Sequence, residues 1–184
     1  DECLLGCLED YQTDNRGDVG SWVRIVAIDA IAKTLKQKYC EKLVEHLVAH
    51  CCEKMDRVRH RVTTHLTELY SLYPESSLLQ LFSPSNSLDH FEKVLTVMFR
   101  PKTGLVEIIL IHYVYLVGGF AGPLAIEAGQ ALMRQVDNIT GHREKVIPCL
   151  INLLSKQVFP KFNNDRHYRL TLPIISTLTL LHYL

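Results

Sequence analysis

The sequence predicts an all-α fold, a solenoid of helical hairpins of the HEAT/armadillo kind, and three observations carry that expectation. Apolar residues recur at spacings of three and four through most of the chain, the signature of one-sided helices. No pair of alternating strands joined by a hairpin turn is legible. Two helix starts also repeat. Gly17-Asp18 leads to Val23-Arg24 and Ala27, Asp56 leads to Val58-Arg59 and Val62, and the two Val-Arg pairs stand 35 residues apart. That separation suits helical-hairpin repeats, in which the valine fills the core and the charges form a ladder along the turns. Asn164-Asp165-Arg166 with Arg169 is a weaker third copy.

The elements follow in order. Asp14-Asn15-Arg16-Gly17-Asp18 supplies turn and N-cap chemistry for a helix in which Trp22, Val23, Val26, Ala27, Ala30 and Ile31 are the expected inner face. Ser21, Arg24, Asp29, Lys33 and Lys36 fill most of the other positions. A second helix is expected over 38–54, with Leu43, Val44, Leu47 and Val48 inward. After a break near Met55-Asp56, a third carries Val58, Val62, Leu66, Leu69 and Tyr73 and stops before Pro74, which disfavours helix in its predecessor. Ser83-Pro84-Ser85-Asn86-Ser87 is the clearest loop, placed to mark a boundary between two halves. A helix over 87–99 and a turn at Arg100–Gly104 follow. The stretch 105–117 has the Val, Ile and Tyr content of a buried strand, but its length and its position between helices favour a buried helix. Gly118-Gly119-Phe120-Ala121-Gly122 reads as a helix C-cap and turn, and Pro123 as the start of the next helix. Helices near 124–136, 143–159 and 165–184 complete the chain, with Pro148 and Pro173 expected to kink or shorten the last two.

Composition narrows the function classes. The chain has 184 residues, of which 47% are hydrophobic. A chain of that length buries roughly 70% of its unfolded surface, so its core needs neither disulfide nor metal. Twenty Lys+Arg balance 20 Asp+Glu, which leaves no global basic field for nucleic acid. The six cysteines, Cys3, Cys7, Cys40, Cys51, Cys52 and Cys149, contain no Cys-x-x-Cys pair. They read as reduced, mostly buried thiols of a cytosolic protein. No run approaches the ~20 apolar residues of a membrane span, because Glu107 and His112 interrupt the best one. The chain opens on Asp1-Glu2 with no signal-peptide pattern, lacks an initial Met, and ends at Leu184 inside an apolar pattern. A single domain over 1–184, cut from a larger helical-repeat protein, is expected.

Lys54, Arg57, Arg59, His60 and Arg61 form a basic cluster. Its functional reading is a patch for an acidic protein partner, with Arg57, Arg59 and Arg61 as partner-binding residues. Its plainer reading is a solvated face with Arg59 spent on the charge ladder. His46 and His50 share a helical face beside Cys51-Cys52, yet the segment His46-Leu47-Val48-Ala49-His50 lacks the His-Glu-x-x-His order, and structural histidines are expected. No Gly-x-Ser-x-Gly elbow occurs, and the glycine-rich 118–122 lacks the lysine of a phosphate loop. No catalytic residue, metal or cofactor is therefore expected. Trp22, the lone tryptophan, is expected in the core beside Val23 and Val26 rather than as an anchor for a partner.

The stretch Leu8-Glu9-Asp10-Tyr11-Gln12-Thr13-Asp14-Asn15-Arg16-Gly17-Asp18-Val19-Gly20-Ser21-Trp22-Val23-Arg24 resembles the start of the C-terminal domain of the tubulin-folding cofactor D family. Leu116-Val117-Gly118-Gly119-Phe120 resembles a second landmark of that family, and the helical order is similar over nearly the whole chain. After Arg24 the family tends toward a charged residue and small alanines, where Ile25-Val26 stand here. The resemblance implies a tubulin-specific chaperone, cytoplasmic and cytoskeleton-associated. Its implied partners are β-tubulin, the other tubulin-folding cofactors and an Arf-like small GTPase. It implies GTP hydrolysis stimulated within the assembled complex, in nucleotide pockets that belong to the partners. The rival expectation is a generic HEAT/armadillo scaffold, such as a transport or phosphatase adaptor.

Overall fold

A computed structural model describes residues 2–100, 105–120, 124–158 and 171–183. Helix dominates, with nine α-helices among the described residues. The chain divides into two compact units, Asp1–Asp89 and His90–Leu184, and the division falls just after the Ser83–Ser87 loop.

The first unit opens on α1 (Glu2–Leu8), which buries only Leu8 and therefore carries no readable periodicity. A two-stranded antiparallel ribbon follows, β1 (Thr13–Asp14) and β2 (Gly17–Asp18). The sequence gives no warning of this hairpin, because strands of two residues show no alternation. Side-chain chemistry closes its turn. The Asp14 carboxylate accepts the Arg16 backbone N–H at 2.8 Å, and Gly17 adopts φ +104°, which only glycine takes readily.

Helix α2 (Gly20–Gln37) starts where the Asp18 carboxylate accepts the Ser21 backbone N–H at 3.0 Å, the expected capping role. Its first residue must be glycine, since a β-carbon on Gly20 would stand 2.8 Å from the carbonyl carbon of Asp10. Its buried face is Arg24, Ala27, Ile28, Ile31, Ala32 and Leu35. Trp22, Val23 and Val26, expected in the core, are instead exposed, and Arg24, expected outside, is buried. The helical geometry gives the reason. Arg24 lies on the line of Ala27, Ile28 and Ile31, whereas Trp22 and Val26 lie on the line of Asp29 and Lys33.

Helix α3 (Glu41–His50) buries Leu43, Val44, Leu47 and Val48 as the periodicity predicts. Helix α4 (Asp56–Leu72) buries Val58, Val62, Leu66 and Leu69 and ends just before Tyr73-Pro74. Each of these side chains contributes roughly 1.5–3 kcal/mol by leaving water. Contacts between α2 and α4 rise in step along both helices. Ser21 meets Arg57, Asp29 meets Arg61, and Lys36 meets Glu68. The Tyr73 hydroxyl closes the series by donating to the Leu35 carbonyl at 2.7 Å. The two helices therefore run parallel, with α3 as the return segment and partners 32–38 residues apart. A 3-10 turn, Leu79–Phe82, packs on α4.

The second unit holds α5 (His90–Met98), α6 (Val106–Tyr115), α7 (Leu124–Asn138), α8 (Arg143–Val158) and α9 (Thr171–Leu180). The stretch with strand-like composition is helical, and α6 buries Ile109, Leu110, His112, Tyr113, Val114 and Tyr115. Burial on several sides removes the one-sided period and explains its ambiguity in sequence. The buried Tyr113 hydroxyl donates to the Ala128 carbonyl at 2.8 Å, so its polar end is satisfied. Leu116–Phe120 continues α6 as a π-helical turn, where a C-cap was expected. Close packing accounts for a glycine there, since a β-carbon on Gly118 would stand 3.0 Å from Pro173 Cα. Helix α8 runs through Pro148 without interruption. The turn residues 101–104, the helix start at Pro123 and the third repeat copy at 164–169 lie outside the described residues.

Candidate protein-interaction site

The segment that carries the family resemblance folds around one buried guanidinium. Arg24 is fully removed from solvent. Its Nη2 lies 2.8 Å from Asp18 Oδ2, and Nη1 donates to the Asp10 carbonyl. Nε lies 2.8 Å from Glu53 Oε2, as an ion pair and not an aligned hydrogen bond. Tyr11 covers the group, with the guanidinium carbon 4.1 Å from its ring centroid. Lys54 also approaches Asp18, at 3.4 Å. Burial alone would push the Asp18 carboxyl up, but the hydrogen bond and charge of Arg24, with the charge of Lys54, hold it below the usual carboxylate range. Burial likewise works against the Arg24 cation, and the Asp18 and Glu53 carboxylates outweigh it. This cluster joins the ribbon, α2 and the segment after α3 into one block.

The block holds Trp22 on the surface. The indole is half exposed, at 50%, and Val26, one turn on, is 68% exposed. Two guanidinium groups attend the ring, Arg16 at 5.3 Å and Arg57 at 5.9 Å from its centroid. Arg57 Nη2 also donates to the Ser21 hydroxyl and, at 3.3 Å, to the Asp18 carbonyl.

The basic cluster separates into unlike members. Arg57 is exposed beside Trp22. Arg61 is exposed and ion-paired with Asp29, whose carboxyl it holds below the usual range. Arg59 is buried, and it donates to the carbonyls of Glu53 and Lys54 and pairs with Asp56. These contacts give Arg59 the role of closing the chain between α3 and α4. The structure therefore brings Arg57 together with Trp22 and leaves Arg61 further along α4 in an ion pair of its own. Sequence reasoning missed Glu53, which carries no motif, and the exposure of Trp22, for which the Trp22-Val26-Asp29-Lys33 line was the available signal.

The two histidines of α3 differ: His46 is partly exposed and His50 is buried. His50 is fully buried, with Nδ1 2.8 Å from the His46 carbonyl and Nε2 3.3 Å from the Leu8 carbonyl. Burial holds its imidazole below the ordinary range despite those carbonyls. Cys51 and Cys52 are buried beside it, and burial pushes the Cys51 thiol up to about 12. Among the described residues no group of three or more His, Cys, Asp or Glu side chains is placed to hold a metal ion, and no helix is long and apolar enough to cross a membrane. No protein-family model matches the chain, and no solved structure matches it.

Proposed function

We propose that the chain is a protein-binding helical module of the tubulin-folding cofactor D type, part of a longer helical-repeat protein. In this reading it binds β-tubulin, and with it other tubulin-folding cofactors and an Arf-like GTPase, during assembly and disassembly of the tubulin dimer in the cytoplasm. It supplies a surface and not a catalytic group, and GTP hydrolysis belongs to its partners.

The observation that carries the reading is the fate of the Asp10–Arg24 segment. Its Asp18 and Arg24 pair in a buried cluster that Glu53 completes, and Trp22 of the same segment is exposed to solvent. Two further features support a helical-hairpin repeat. Helices α2 and α4 run parallel with α3 returning between them, and Arg24 and Arg59, one repeat period apart, are both buried.

The test is a titration of fluorescently labelled αβ-tubulin, and separately of the Arf-like GTPase, with the purified chain. Saturable binding to either is the expected result. A folded chain that binds neither overturns the proposal, and capture of transport or phosphatase components in their place would establish the generic scaffold.

A further inference from the structure

We propose that the Trp22 ledge of the first unit is a docking surface for an acidic peptide segment of a protein partner. An apolar side chain of that segment lies along Trp22 and Val26, and a neighbouring carboxylate meets Arg57. This rests on the protein-binding reading and names the chemistry of the segment bound.

Charge complementarity selects the occupant. Around the ledge Arg16 pairs with Asp14, Arg24 with Asp18 and Glu53, Lys54 with Asp18, Arg59 with Asp56, and Arg61 with Asp29. Arg57 differs. Its partners are a hydroxyl, a carbonyl and the indole ring, none of which neutralises its charge. A guanidinium so placed takes a carboxylate in a charge-assisted hydrogen bond. The adjoining surface is apolar. Trp22, Val23 and Val26 are exposed, and Val26 lies four and three residues on from the other two, so its side chain neighbours both. An aromatic and an arginine side by side are the residue types that dominate protein interfaces. Nucleic acid fits less well, because tracking a phosphate backbone takes several uncompensated cations and this ledge holds one.

The position is already fixed before binding. The buried Arg24 cluster holds the start of α2, and Ser21, next to Trp22, is the residue to which Arg57 donates. Little side-chain ordering therefore remains to oppose docking.

Trp22 is the only tryptophan in the chain, so its emission reports this surface alone. The probe is a capped peptide of alternating glutamate and leucine, titrated into the whole chain. The expected result is a saturable blue shift of Trp22 emission, weakened about tenfold by R57E, as loss of a charge-assisted hydrogen bond requires. R57Q, which removes the charge with less disturbance, should weaken it in the same direction. W22A, followed by calorimetry, should abolish the binding while the helical circular dichroism is unchanged. An equal response to the peptide with lysine in place of glutamate overturns the proposal, as does no response to either. A response to oligothymidylate and not to the acidic peptide makes this a nucleic-acid surface and overturns it too. An emission shift driven by protein concentration, with a rise in sedimenting mass, would mean that a second copy covers the ledge and would likewise overturn the proposal. Tubulin titrations in parallel separate the two proposals. Tubulin binding that survives W22A and R57E, with no peptide response, ends this one and leaves the module reading intact. A peptide response without tubulin binding does the reverse.

Discussion

Arg24, in the second turn of α2, meets Glu53, three residues past α3, at 2.8 Å in the interior of the first unit. Both side chains are removed from solvent. Removing one member of such a pair strands the other in a poorly polarisable surrounding, which costs about 3–5 kcal/mol. R24M and E53Q should each lower the stability of the chain, R24M by an amount in that range. The double variant should cost less than the sum, because neither charge is then left alone. Urea unfolding of the four proteins reads the coupling, and strict additivity would show that the pair does not interact.

Trp22 yields the opposite expectation. A buried tryptophan truncated to alanine costs about 3–5 kcal/mol. At a half-exposed site truncation loses only part of that burial, together with contacts to the two guanidiniums worth about 0.5–1 kcal/mol each. W22A should therefore cost less than about 3 kcal/mol. A loss in the buried range would return Trp22 to the core and remove the ledge.

Acid should act in two stages. Burial holds the imidazoles of His50 and His46 below their ordinary value, with nearby positive charge adding to the effect at His46. The unfolded chain then binds more protons than the folded one in that interval, so stability rises with pH across it. The contribution is complete above the unfolded value of about 6.5 and declines as pH falls toward the lowered folded values. Asp18 and Asp29 follow at lower pH. Burial is the largest influence on Asp18, but Arg24 and Lys54 reverse it, and Arg61 dominates at Asp29. Their contribution is present above about 3.9 and is lost as pH falls through the depressed folded values. Urea midpoints between pH 8 and pH 3 should fall in both windows, and H50Q should flatten the first. A midpoint that rises as pH falls from 7 to 5 would contradict the burial of His50.

The cysteines should differ sharply in reactivity. Cys3 is exposed, whereas Cys51 and Cys52 are buried with thiols pushed up, Cys51 to about 12. Thiolate is the reactive form. Under native conditions a thiol-modifying reagent should label Cys3 first, and Cys51 and Cys52 only after unfolding. Mass spectrometry of timed digests checks the order, and early labelling of Cys51 would contradict the packing of α3.

The helices were largely legible because apolar spacing records which side of a helix meets the core. Leu43, Val44, Leu47 and Val48 fall inward as expected, and α4 stops at Pro74 for a local steric reason. What was illegible lacked a period or depended on distant partners. Helix α1 buries a single leucine, and the ribbon has two residues in each strand. The face of α2 was misread because Trp22 and Val26 look like core residues while Arg24 does not. Glu53 and Asp18, brought to Arg24 by the fold together with the Asp10 carbonyl and the Tyr11 ring, make a buried guanidinium tolerable. The basic cluster likewise looked uniform in sequence, and it took the positions of Asp29, Asp56 and Asp18 to single out Arg57.

In the proposed reading a protein partner sits on the Trp22–Arg57 surface, and tubulin is that partner. The most direct measurement is the affinity of αβ-tubulin for the chain, its R57E variant and its R61E variant at low and high salt. Binding should be salt-sensitive, weakened about tenfold by R57E and left within about twofold by R61E, because Arg61 already has its carboxylate in Asp29. Equal binding by all three proteins would remove the partner from this surface, and no binding by a folded wild-type chain would contradict the tubulin reading itself.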